Sequence, residues 1–254
     1  NQSSRGAGLG NGPMRYTISA RGKHNSVPLL PLLGRHYANV PLDEIDSVFG
    51  FVEPTTLYGG RYFVGPELTP YDVNQMYCAD IGVRLPLTNH YVSEEEYAAS
   101  RPLLERYHRK GNAAIVTHDD LARWIRRDFP LYRLEASVIK NLKSYRRMEE
   151  ALELYDTIVL PMELNDDDAF LDGVPEKPRV TLFANAGCAL TCPSKICYVS
   201  ISKLNKGQGG EFKCSQPLKD REMLGMVDFD LERLQGLGFS RFKLLRSRPG
   251  NKTG

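Results

Sequence analysis

The sequence has one tryptophan, only five cysteines, no long hydrophobic run and a formal net charge of just +2. No stretch of about eighteen apolar residues is present, and the N-terminal residues lack the apolar core of a signal peptide. We therefore expect no membrane insertion and a cytoplasmic location. The small net charge does not by itself predict nucleic-acid binding. In a reducing compartment, clustered cysteines are more often metal ligands or redox groups than disulfides.

Several catalytic motifs are also absent. No glycine fingerprint of the dinucleotide-binding type follows a predicted strand, and the glycines of "NKGQGGEFK" do not have P-loop spacing. The sequence contains neither an H-E-x-x-H motif nor a recognisable Ser-His-Asp arrangement. These absences count against a nucleotide-binding fold and against a hydrolase.

The chain divides into a central domain and two tails. Residues 1–13 are polar and rich in glycine, which predicts a disordered tail or a non-native extension, and residues 249–254 predict a flexible end. Residues 14–248 are then a single domain.

Short apolar runs alternate with amphipathic segments along this domain, which is typical of a parallel sheet. Ser93 with Glu96 forms a capping-box pattern at one predicted helix start, and Ser137 precedes another. Eight such units fit an α/β fold of the (β/α)8 TIM-barrel type. The predicted strands are 47–53, 82–88, 113–118, 131–137, 156–161, 179–185, 223–229 and 241–246.

Four of the five cysteines follow the sixth predicted strand with the spacing C-x3-C-x4-C-x16-C. Catalytic groups of such barrels lie where strands end, so Cys188, Cys192, Cys197 and Cys214 are expected at the mouth. The spacing matches neither a zinc ribbon nor the bacterial ferredoxin run, and it favours a [4Fe–4S] cluster, with zinc as the alternative. Cys78 is expected to be a small buried core residue.

The cysteine region and the last strand resemble the collagenase-like peptidase superfamily. The resemblance rests on a strand ending in Asn185 before the cysteines, on "CSQP", on "GLGFSRFKLLRSR" and on "VFGFVEPTTLYGGRYF". Lys243 matches the lysine of the family pattern "KiEGR", whereas Leu245 replaces its acidic residue and Arg246 matches its arginine only loosely.

The resemblance implies a barrel with a [4Fe–4S] cluster on the four cysteines. Members of this kind are dioxygen-independent hydroxylases that modify tRNA, rRNA or the ubiquinone ring, with prephenate as the implied oxygen donor in some cases. Some work as heterodimers. The resemblance therefore implies hydroxylation, or a related redox modification, of a small molecule or an RNA base, with a partner subunit as an option.

Polar residues at the predicted strand ends are the remaining site candidates. The expected catalytic residues are Asn185, His118, Glu135 and Glu53, and the expected substrate-binding residues are Asn89, His90, Lys243 and Arg246. Asp119 and Asp120 make helix capping an equal explanation for the position of His118. Glu135 needs a partner if it is buried, and Arg133 or another base could supply it.

Three function classes stay open. The first is a redox enzyme acting on a small molecule, and the second is a non-catalytic cluster-binding subunit of a heterodimer. The third is a zinc-dependent or peptidase-like hydrolase. RNA is a further partner class, because basic and aromatic residues occur together around Arg126 and Arg127.

Overall fold

The computed structural model of the chain describes residues 13–192, 194–215 and 226–246. Apart from residue 13, both predicted tails lie outside these ranges. No helix of the described residues is long and apolar enough to cross a bilayer.

Eight parallel strands close into a barrel, which confirms the predicted (β/α)8 fold. Neighbouring strands along the chain pair with each other, and the last barrel strand pairs with both the first and the seventh. The barrel strands are β1 (Arg15–Ser19), β2 (Ile45–Phe49), β3 (Gly82–Leu87), β4 (Ala113–Val116), β5 (Arg133–Ala136), β6 (Thr157–Val159), β7 (Val180–Phe183) and β10 (Arg241–Leu244). Two short strands, β8 (Asn185–Ala186) and β9 (Val227–Asp228), form a separate antiparallel pair.

Helices follow most of the strands and cover the barrel. They are α1 (Leu29–His36), α2 (Pro70–Cys78), α3 (Glu94–Arg106), α4 (Asp119–Asp128), α5 (Tyr145–Leu154), α6 (Asp168–Asp172), α7 (Cys197–Leu204) and α8 (Leu231–Gly236). Ser93 caps α3 by accepting the Glu96 N–H, as predicted. Ser137 instead caps a short 3₁₀ turn, which ends at Asn141 with a left-handed φ of 53°, and α5 begins only after Ser144.

Side chains alternate between the two faces of each strand. Val83, Leu85 and Leu87 pack outward into the main core with the helices, whereas Arg84 and Pro86 face the barrel axis. This alternation places polar and charged residues inside the barrel, which positions the site.

The structure corrects two strand assignments. β1 is not among the predicted strands, because five residues directly after a glycine-rich tail give a weak signal. The predicted strand 223–229 is not a barrel strand: residues 223–225 lie outside the described ranges, and β9 pairs only with β8. The cysteine-rich loop therefore follows the seventh barrel strand and not the sixth.

Candidate active site at the barrel mouth

A network of charged side chains lies inside the barrel. Lys243 Nζ donates to Glu135 Oε2 at 2.7 Å, and Arg84 Nη1 donates to Glu135 Oε1 at 3.2 Å. Arg84 also donates to Ser47 Oγ at 2.8 Å and to Asp46 Oδ2 at 2.9 Å. The side chains of Glu135 and Lys243 are only 1% and 7% exposed. Buried charges are tolerated when they are paired, so the network ties four strands together across the interior.

Lys243 has an unusual environment for an amine. Burial lowers its pKa, the Glu135 carboxylate opposes this by raising it, and the Arg84 charge lowers it again, so that its pKa lies below the ordinary value for lysine. Its Nζ lies 4.6 Å from the centre of the Phe49 ring. Lys243 therefore loses its proton more readily than an exposed lysine does.

A small cavity of about 80 Å³, which we call the mouth chamber, lies at the carboxyl ends of the strands, and Lys243 lines it. Its remaining walls are mostly apolar, with hydroxyl groups from Thr88 and Ser137. The other lining residues are Phe49, Gly59, Gly60, Arg61, Pro86, Ile115, Val138, Ile139, Met162, Phe183, Tyr198 and Leu245.

A second cavity of about 550 Å³, the cysteine pocket, adjoins the chamber. Cys188, Cys197 and Cys214 line it, and the chamber and the pocket share Gly60 and Arg61 as wall residues. Three of the four clustered cysteines are thus brought together beside the barrel mouth.

The fourth cysteine, Cys192, lies close to this group. Its Sγ accepts the Lys195 N–H at 3.3 Å and lies 3.4 Å from Ser215 Oγ. Burial acts to raise the pKa of Cys192, but these hydrogen bonds, with others from the backbone, lower it below its ordinary value. The Cys192 thiol therefore loses its proton more readily than an ordinary cysteine thiol does.

Cys197 behaves oppositely, because it begins α7 in a more buried position. Burial and, to a smaller extent, the charges of Cys188, Cys192 and Cys214 together raise its pKa to about 11. The other three sulfurs are therefore within electrostatic range of Cys197, where their thiolates would repel its own. A bound metal centre offsets such repulsion and deprotonates its thiol ligands.

Whether these thiols hold a cluster or a zinc ion stays a prediction. Within the described ranges, no group of three or more His, Cys, Asp or Glu side chains is placed to hold one metal ion. Zinc, with Zn–S bonds of about 2.3 Å, would need sulfurs within roughly 3.8 Å of one another. A cubane is larger and takes four thiolate ligands. Cys188, Cys197 and Cys214 line the cysteine pocket, and Cys192 lies close to it.

The wall shared by the chamber and the pocket contains a rigid ion pair that the sequence did not reveal. Arg61 donates to both carboxylate oxygens of Glu67, at 2.6 and 2.7 Å, and stacks over Phe51 at 4.5 Å. Glu67 also accepts the backbone N–H groups of Gly22 and Phe51. The pKa of Glu67 lies below its ordinary value, because Arg61 and these N–H groups outweigh the effect of burial.

A third cavity of about 770 Å³, the lysine cleft, opens on the other side of α7. It shares Val138, Ile139, Met162 and Tyr198 with the mouth chamber, so the two adjoin. Its charged and titratable lining residues are His90, Lys143, Glu163, Lys195, Lys203, Glu211 and Lys213. Helix α7 thus separates the cysteine pocket from a mainly cationic cleft.

Comparison with solved structures identifies the architecture. The structure of the U32 peptidase Mk0906 superposes with a TM-score of 0.62 at 14% identity, covering 97% of this chain and 98% of that chain. The chain has the fold of a U32 peptidase. U32 peptidases are collagenase-like, so this likeness agrees with the resemblance seen in the sequence. No protein-family model matches the chain, and no curated protein matches it.

Within this U32-type barrel, several predicted site residues do meet at the mouth. The four cysteines and Lys243 line the cavities or lie beside them, and Glu135 supports Lys243 from within the barrel. His90 lines the lysine cleft, where its Nδ1 lies 3.1 Å from Ser202 Oγ and burial lowers its pKa.

Other predicted residues are engaged in connections between elements. The Asn185 amide donates to the Leu245 carbonyl and accepts the Leu245 N–H, at 2.9 and 2.8 Å. Asn89 donates to the carbonyls of Tyr58 and Ser202, both at 2.9 Å, and so joins the β3 loop to α7. Catalysis by Asn185 and substrate binding by Asn89 stay predictions.

Three further candidates lie outside the lining of the chamber. Glu53 pairs with Arg106 at 2.6 Å, at the end of α3. His118 occupies the N-cap position of α4 without a side-chain cap bond, and its buried Nδ1 has no partner among the described residues. Arg246 donates to the Arg21 carbonyl at 3.0 Å. Their assigned roles stay predictions.

The structure overturns one local expectation, that of a buried Cys78, and confirms another, that the buried Glu135 has a basic partner. Cys78 is exposed rather than buried, and it ends α2 at the opposite end of the barrel from the other cysteines. Glu135 is paired with Arg84 and Lys243, and not with Arg133, which is exposed at the far end of its strand. Glu163, in the loop after β6, is half-buried between Lys143 and Lys195.

Some residues of the site were not predicted from the sequence, because their sequence signals are weak. Arg84 interrupts the buried run "GVRLPL", and a charge at that position signals a partner inside the barrel. Arg61 lies in the "LYGGRYF" stretch that carried part of the resemblance, and Tyr198 directly follows Cys197. Neither residue is distinctive without the pocket it lines.

Proposed function

We propose that the chain is an iron–sulfur barrel protein that carries out a redox modification of a substrate bound at the barrel mouth. The observation that carries the proposal is the convergence of Cys188, Cys192, Cys197 and Cys214 beside the mouth chamber. These residues would hold a [4Fe–4S] cluster. When bound, such a cluster supplies single electrons.

The reaction class follows from the resemblance to dioxygen-independent hydroxylases. We propose hydroxylation, or a related redox modification, of a small molecule as the main activity. The mouth chamber would bind and orient the reacting part of the substrate between Lys243 and Tyr198. Its apolar walls would exclude water. The proposal includes two alternatives. The substrate is an RNA base instead of a small molecule, or the chain acts with a partner subunit instead of alone.

The experiment that tests the cluster is an absorption spectrum with iron and acid-labile sulfide analysis on anaerobically purified protein. We expect a broad shoulder near about 400 nm and roughly four iron per chain. Both should be lost in Cys197→Ala. The matched control is Cys78→Ala, which removes the exposed cysteine at the other end of the barrel and should retain both signals.

Two other results would redirect the proposal. Colourless protein with stoichiometric zinc would exclude the redox function and favour the peptidase-like hydrolase suggested by the name of the U32 neighbour. An intact cluster without turnover of any substrate by the isolated chain, but with turnover after a second subunit is added, would favour the role of a cluster-binding subunit.

A further inference from the structure

Three lysines of the described residues have almost fully buried side chains, and one of them, Lys206, pairs with Glu96 and lines none of the three mouth cavities. Lys23 pairs with Asp72 at 2.8 Å and lines none of the three mouth cavities. Lys243 pairs with Glu135 at 2.7 Å, yet it also lines the mouth chamber. A small molecule entering the chamber can therefore reach Lys243 but not Lys23.

The partner of Lys243 does not depend on it for charge compensation. Glu135 Oε1 accepts from Arg84 at 3.2 Å, so this carboxylate keeps a cationic neighbour when Lys243 is neutral. Arg84 is in turn held by Asp46 and Ser47. Glu135 is thus placed to take up the Lys243 proton on Oε2, while its Oε1 still accepts the Arg84 hydrogen bond and Asp46 compensates the Arg84 charge.

We propose that Lys243 is a reactive amine that forms an imine with a small 2-oxo acid in the mouth chamber. A volume of about 80 Å³ admits only a few non-hydrogen atoms, since one water occupies about 30 Å³ of liquid. The adjoining cleft supplies a mainly positive approach with four lysines against two glutamates, and one of these, Glu163, is already paired. This field favours an anion.

The chemistry needs no co-reactant beyond the carbonyl compound. The neutral Lys243 amine adds to the carbonyl carbon, so that a C–N bond forms and the oxygen takes up a proton. The adduct then loses this oxygen as water, leaving the C=N bond. Glu135 accepts and returns the protons, and Thr88 and Ser137 provide hydroxyl groups at the chamber wall.

The test is reductive trapping. Purified protein is treated with glyoxylate and sodium cyanoborohydride, which adds hydride and a proton across the C=N bond and leaves a carboxymethyl group on Nζ. Peptide mapping by mass spectrometry then gives the occupancy of each lysine. We expect Lys243 to reach at least about tenfold the occupancy of Lys23 and of exposed Lys203. Pyruvate added before glyoxylate should reduce labelling of Lys243 alone.

Two variants sharpen the result. Lys243→Arg keeps a cation beside Glu135 but cannot form an imine, so the preferential labelling should vanish. Lys23→Arg should leave it unchanged. If Lys243→Arg does not fold, the lysine occupancies measured in the protein without substitutions still test the inference. Occupancy at Lys243 no higher than at Lys23, in protein with an unchanged circular dichroism spectrum, would overturn the inference.

The inference does not depend on the proposed function, because trapping requires no cluster. Labelling of Lys243 in protein without iron would support the imine and refute the cluster. Iron-loaded protein without labelling at Lys243 would support the cluster and refute the imine.

Discussion

Replacement of Glu135 by glutamine tests how the barrel interior is held together. The carboxylate compensates two cations, Lys243 at 2.7 Å and Arg84 at 3.2 Å, and its side chain is 1% exposed. In Glu135→Gln, Arg84 keeps Asp46, but Lys243 has no carboxylate partner left among the described residues. Removing one member of a buried ion pair costs about 3–5 kcal/mol.

This cost is measurable by equilibrium unfolding. For a domain of this size, about 1 kcal/mol corresponds to roughly 2–4 °C in melting temperature, so we expect a decrease of about 6–20 °C. Urea titration at pH 7 should give the free-energy difference directly. The matched control is Glu150→Gln, which removes the exposed Arg146–Glu150 pair at 3.0 Å and should cost about 0.3–0.5 kcal/mol.

A double variant separates the uncompensated charge from lost packing. Glu135→Leu combined with Lys243→Met removes the pair together, so its cost should fall well short of the sum of the two single changes. A loss of less than about 1 kcal/mol in Glu135→Gln, or one equal to that of Glu150→Gln, would refute the view that the network is tightly coupled.

Two further predictions concern stability elsewhere in the fold. Gly34→Ala, within α1, should raise the free energy of unfolding by about 0.5–1 kcal/mol, whereas Gly82→Ala should lower it severely, because its Cβ would lie 1.9 Å from the Gly111 carbonyl oxygen. Urea unfolding of both variants checks these opposite signs. Asp72 has a lowered pKa, because hydrogen bonds from Lys23 and two backbone N–H groups outweigh the effect of burial. Its stabilisation is therefore present above its unfolded-state pKa and lost as pH falls through its folded-state pKa, so the stability gap to Asp72→Asn should close on acidification. A gap that is independent of pH would contradict this assignment.

The barrel could be predicted from sequence because its signal repeats. Seven of the eight barrel strands coincide with predicted apolar runs, and several strong helical segments separate them. β1 was not predicted, because it is a single run of five residues next to a polar tail and no predicted helix precedes it. The 223–229 run was misassigned because composition alone cannot distinguish a barrel strand from a short strand that pairs elsewhere.

The site was predicted only where its residues are close together in sequence or match a resemblance. The spacing from Cys188 to Cys214 was visible directly, and Lys243 was found through the closing motif. The pairing of Glu135 with Lys243 was not predictable, because the two residues lie 108 positions apart and meet only when the barrel closes. The lysine cleft likewise joins residues from several loops, each of which is unremarkable alone.

The pairing of β1 with β10 has a consequence for how the chain folds during synthesis. Arg15 is in register with Arg241, so the first strand finds one of its two neighbours only when more than two hundred further residues have been translated. Until then, the nascent sheet exposes unpaired backbone along β1 and β7, which are the edges that favour aggregation. Folding of this barrel is therefore completed only after β10 has left the ribosome, and its yield should depend strongly on chaperones that shield those edges.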